Sequence, residues 1–132
     1  MLQPDRKDDP TIHNDERLWR RVPPGQIIWD SNLSGYRPSS AVFRPSDEMS
    51  VDIASLTTPE AVLFNYAQYS LIEFEAGVAR NEGCIIVRDP LPENPSHALV
   101  CGSNAEGRLT KSQAKNISRY SRWIILKHPP IE

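Results

Sequence analysis

The sequence is poor in the residues that most readily assign a chemistry. It has two cysteines, three histidines and six glycines in 132 residues. Two cysteines do not make a secreted disulfide scaffold. No CxxC, HxxxH or HxH spacing is present to gather a metal's ligands. No Walker spacing, Rossmann glycine pattern or GxSxG elbow occurs, so the backbone cradles and strained nucleophile turns that those motifs build are not encoded. An excess of one charge is lacking too. Fifteen Lys and Arg stand against seventeen Asp and Glu, a net charge of -2. That balance argues against a dedicated nucleic-acid binder, which usually carries a basic excess. No apolar run approaches the roughly 18 residues of a membrane helix, and the first sixteen residues are too polar for a signal peptide. The expectation is a cytoplasmic protein with no membrane association, no metal and no cofactor.

What the chain does have is proline, twelve in all, and a moderate apolar content divided into short runs. Residues 1–16 combine charge with two prolines and read as a flexible or weakly docked polar tail. Residues 17–132 are long enough for one domain with an ordinary core. Leu18–Val22, Gln26–Trp29 and Leu71–Glu75 are strand candidates. Met49–Ile53 alternates apolar and polar residues like a half-buried strand. Asp30–Ser40 is rich in Ser, Asn, Gly and Pro and reads as a loop. Thr58-Pro59 is a helix start, with Thr58 as N-cap and Pro59 at the first helical position. The periodicity of Val62, Leu63, Tyr66 and Tyr69 predicts a helix over 59–69. A second helix is predicted over 110–122, and Ile124–Leu126 suggests a last strand. The pattern is α+β: a mostly antiparallel mixed sheet with two helices, not the strict alternation of a doubly wound fold. Trp19, Trp29 and Trp123 are expected as core anchors.

The segment Cys84–Gly102 reads as a central hairpin, 84–101, with a proline-rich loop. If Arg88 faces His97, then Ile86 faces Leu99 and Cys84 faces Cys101 on one side of the sheet. Both faces would be apolar, as in central strands. The cysteines then read as buried thiols, with a cross-strand disulfide geometrically conceivable. His97, Arg88, Asp89 and Glu93 gather at the loop end. A histidine beside a carboxylate is the minimum apparatus for acid–base chemistry; the competing reading is a histidine that caps the loop.

Two basic constellations stand apart from the hairpin. Arg20, Arg37, Ser39 and Ser40 are candidate anion-binding residues, through guanidinium groups and loop N–H groups. Lys111, Lys115, Arg119 and Arg122, at spacings of four, four and three, form a basic stripe opposite Ala114 and Ile117. That stripe suits a protein partner with an acidic surface or, as a lesser alternative, a nucleic acid. Leu18-Trp19-Arg20-Arg21, followed by Ser39–Phe43 and Met49-Ser50-Val51, resembles the opening of ADP-ribosyltransferase-like folds. The resemblance implicates Arg20, Ser39 or Ser50 in a nicotinamide pocket. Glu73 and Glu75 suit the later glutamate by residue type alone, and Pro23-Pro24-Gly25 stands where that family has a helix. The leading functional expectation is a non-enzymatic binding or accessory domain within a larger assembly. The alternatives are a small enzyme using His97 and arginines, and nucleic-acid binding through the stripe.

Overall fold

The computed structural model describes residues 6–46, 48–103 and 107–127. Its main sheet has six strands in the order β6-β7-β4-β1-β5-β8, every neighbouring pair antiparallel. The strands are β1 (Arg17–Val22), β4 (Met49–Ile53), β5 (Ser70–Glu75), β6 (Ile85–Arg88), β7 (His97–Cys101) and β8 (Arg122–Ile125). A separate hairpin pairs β2 (Ile27–Asp30) with β3 (Gly35–Pro38). The helices are α1 (Pro59–Val62), α2 (Ala76–Asn81) and α3 (Lys111–Arg119). The α+β expectation therefore holds.

Alternation along the strands divides the apolar residues between two faces. Leu18, Val22, Met49, Val51, Ile53, Ile72, Phe74, Ile86, Ala98 and Val100 face one way. There they meet Ala76 and Ala79 of α2, Ala114 and Ile117 of α3, and Val42 and Phe43 of a 3-10 turn. The other face carries a smaller cluster, Trp19 and Leu71 beneath Val62 and Leu63.

Four expectations need correction. The helix expected over 59–69 is a single turn, Pro59–Val62. Thr58 does cap it, accepting from Ala61 N at 3.1 Å. Beyond Leu63 the chain turns instead, and only Tyr69 of the remaining stripe packs against the smaller cluster. Phe64 is 82% exposed, and Tyr66 packs edge-on against Tyr69 beneath the Arg21 guanidinium, 4.0 Å from its ring centre. The second helix ends at Arg119, so Arg122 belongs to β8 rather than to the helical stripe. The loop expected over Asp30–Ser40 contains β3. Trp29 is 54% exposed rather than a core anchor.

The hairpin is also displaced by one residue. Arg88 pairs with Ala98, Ile86 with Val100 and Ile85 with Cys101. Asp89 N donates to His97 O at 3.0 Å, so the loop closes one residue further along than Arg88. A one-residue slip exchanges faces. Cys84 joins Ile86 in the main core, whereas Cys101 lies on the other face opposite Ile85, and both are free thiols. Strand β6 is an edge strand, not a central one.

Where a flexible or weakly docked tail is expected, Asp8 and Asp9 bond to that edge, and Asn14 and Glu16 accept from Gly77 N and Ala76 N at the start of α2. Asp9 N donates to Ile86 O, and Ile86 N donates to Asp8 Oδ1, both at 2.8 Å. These bonds occupy strand-edge groups that would otherwise be open to pairing. Arg80 holds Asp8 and Asn14, and Ile12 enters the main core at 1% exposure. After β7, Gly102 lets the chain pass its own return: a Cβ there would lie 2.4 Å from Arg108 O and from Leu109 Cα.

Candidate functional site

Helix α3 builds one wall of a surface groove. Thr110 and Gln113 form a capping box that fixes its start, Gln113 N donating to Thr110 Oγ1 at 3.1 Å and Thr110 N to Gln113 Oε1 at 2.8 Å. Ala114 and Ile117 are fully buried. The helical period then turns Lys111, Lys115 and Arg119 outward, with Ser118 between them. The β2–β3 hairpin and the 3-10 turn Ser40–Phe43 form the facing wall. Ser118 Oγ donates to Pro38 O at 3.3 Å, and Trp123 Nε1 to Tyr36 O at 3.0 Å, so β3 is tied to both α3 and β8. Arg44 Nε donates to Leu109 O at 2.9 Å and Arg108 Nη2 to Arg44 O at 3.1 Å, closing one end.

The groove has a volume of about 830 Å³. Among the described residues, seven cationic side chains line it, Arg37, Arg44, Arg108, Lys111, Lys115, Arg119 and Arg122, against one carboxylate, Asp30. Asp30 pairs with Arg37 at 2.9 Å, and Arg122 Nε donates to Glu73 at 2.7 Å. The other five have no carboxylate partner among the described residues. Tyr36 and Trp123 supply aromatic surface to the lining, and Ser40 and Ser121 supply hydroxyls. Such a concavity concentrates positive potential in a chain whose net charge is -2.

Two sets of residues proposed separately from the sequence thus converge. All four stripe residues line the groove, together with Arg37 and Ser40 of the anion-binding set. Arg20 and Ser39 do not. Ser39 Oγ accepts from Ala41 N and caps the 3-10 turn. Arg20 is half-buried on the main core face, donating to Val42 O at 3.0 Å and Ser50 O at 2.8 Å. Burial and then the neighbouring Arg21 push its guanidinium down to about 10. Arg44, Arg108, Tyr36 and Trp123 were not foreseen as groove residues. Each is isolated in the sequence, and no spacing signals their meeting.

The hairpin candidates lie away from the groove and only partly together. His97 Nδ1 donates to Asp89, 3.0 Å from its carbonyl oxygen and 3.1 Å from its carboxylate. Arg88 turns instead towards the N-terminal segment, 3.3 Å from both Asp9 Oδ2 and Thr11 Oγ1. Glu93 is exposed. A network that the sequence does not signal stands beside His97: Asp52, 5% exposed, accepts from Ser96 Oγ at 2.8 Å and Asn94 Nδ2 at 2.9 Å. Its alternating strand pattern had placed Asp52 on a polar face. The network ties the proline-rich loop to β4, and Ser96, at 1% exposure, is structural.

The residues implicated by the ADP-ribosyltransferase resemblance do not share a described cavity. Arg20 is on the main core face, whereas Glu73 is on the other, accepting from Trp19 Nε1 at 3.0 Å and from Arg122. Glu75 is exposed at the end of β5. Among the described residues no group of three or more His, Cys, Asp or Glu could hold a metal ion, and no helix is long and apolar enough to cross a membrane. Comparison with family models, curated proteins and solved structures finds no match to this chain.

Proposed function

We propose that the chain is a non-enzymatic binding or accessory domain acting within a larger assembly, and that it binds a negatively charged partner through the groove between α3 and the β2–β3 hairpin. The observation that carries this reading is that, among the described residues, seven cations and one carboxylate line one groove. The residues best suited to catalysis support it from the other side. His97, Asp52 and Ser96 are engaged in loop and strand hydrogen bonds, and none of them lines the groove. A surface of this kind attracts its partner at long range and loses affinity with added salt.

The test is retention on immobilised heparin, a generic polyanion, by the full chain and by the triple variant Lys111→Glu, Lys115→Glu, Arg119→Glu. All three side chains are exposed, so the variant is expected to keep its circular dichroism spectrum and melting temperature. The native chain should be retained and elute only with salt, and the variant should elute at markedly lower salt. Equal elution of the two would overturn the reading.

A further inference from the structure

We infer that the groove receives single-stranded nucleic acid, with phosphates along Lys111, Lys115 and Arg119 and bases against Tyr36 and Trp123. The inference rests on the binding role proposed above and names its partner class. The three cations recur every fourth residue on one helix, so their stems are spaced about 6 Å apart along its axis. That interval is close to the repeat of consecutive phosphates in an extended strand. None of the three has an ion-pair partner among the described residues.

The facing wall distinguishes this ligand from an acidic peptide. A row of carboxylates would be satisfied by cations alone, whereas the groove also offers aromatic surface. Tyr36 packs edge-on against Trp29 at 5.1 Å, and the Trp123 indole is fixed by its bond to Tyr36 O. Both rings are half-buried against the main core, and the parts of them that line the groove offer bases a surface already held in place, at little ordering cost. A basic track beside fixed aromatics is the pattern by which single strands are held with little sequence preference. A volume of about 830 Å³ suits a short stretch of single strand and cannot enclose a duplex.

The experiment uses the full chain, a fluorescently labelled oligo-dT and a labelled oligo-glutamate peptide, with binding read by anisotropy over a salt series. The oligo-dT should bind, and the logarithm of its affinity should fall with the logarithm of salt with a slope of about -2, as expected for roughly three phosphate contacts. The triple charge reversal should abolish that binding. Tyr36→Leu should weaken oligo-dT by about ten-fold and leave any peptide binding unchanged. Tyr36→Phe, which retains the ring, should bind oligo-dT more tightly than Tyr36→Leu, and the melting temperature of each variant controls for damage to the fold. Oligo-dT binding indifferent to the charge reversal or to Tyr36→Leu would overturn the inference. Peptide binding through the three cations without oligo-dT binding would overturn it while leaving the binding role intact. Failure of both ligands, with no heparin retention, would remove both.

Discussion

Cys84 illustrates how a buried group acquires a pH dependence. It is 4% exposed within the main core, and burial, then the nearby Glu82 and Cys101, push its thiol up to about 12 from an ordinary 9.0. A neutral thiol in such a place behaves as a small hydrophobe. An acid whose pKa is higher folded than unfolded contributes stability that is complete below its unfolded value, here 9.0. The contribution declines as pH rises towards the folded value. Urea unfolding of the native chain and of Cys84→Ala at several pH values from neutrality upward should therefore show two curves that converge. Their separation should be constant below the ordinary thiol pKa and narrow above it by at most about 1.4 kcal/mol per pH unit. A separation that stays constant, or widens, would contradict a thiol held neutral. Cys101 is shifted in the same direction by burial, partly offset by the Arg6 guanidinium, so some alkaline slope should persist in the variant.

At the scale of elements, α3 both closes the core and carries the cation row, and its N-terminus determines how firmly it does so. The capping box satisfies otherwise orphaned N–H groups, and Gln113 goes on to donate to Glu82 O at 2.9 Å, joining α3 to the end of α2. Thr110→Ala should cost about 1 kcal/mol of stability, read from the midpoint of urea unfolding with the slope unchanged. An effect near zero would mean that the cap is made good by solvent. This helix was legible because its signals are local: Thr110 at the start and Ala114 and Ile117 at helical spacing. Strand β3 was not. Gly35-Tyr36-Arg37-Pro38 has neither alternation nor an apolar run. What holds it is the pairing with β2 and, from far along the chain, the hydrogen bonds from Ser118 and Trp123. Because β3 is one wall of the groove, the sequence revealed the cations of the other wall without revealing the concavity. The hairpin register failed for a related reason. Alternation identifies a strand's faces but not its partner positions, and those were set by the loop closure between Asp89 and His97.

For the molecule as a whole, the N-terminal segment decides what counts as the domain. Its polarity hides its role, because most of its contacts are polar: Asp8 with Arg80, Asp9 with Arg88, and Arg6 with Glu48. Partly exposed ion pairs of this kind contribute little each. The apolar contribution comes from Ile12, at 1% exposure in the main core cluster. If the segment folds with the sheet, removing that side chain opens a cavity in the main core and destabilises the whole cooperative unit. Ile12→Ala should then lower the free energy of unfolding by about 2–5 kcal/mol, with far-ultraviolet circular dichroism and tryptophan fluorescence reporting the same shifted transition. If the segment is a tail that samples the surface, the cost should stay within about 0.5 kcal/mol, as for substitutions away from the core. Arg80→Ala separates burial from charge: it releases Asp8, Asn14 and the Asp9 carbonyl together. In a segment anchored chiefly by Ile12, it should cost less than Ile12→Ala.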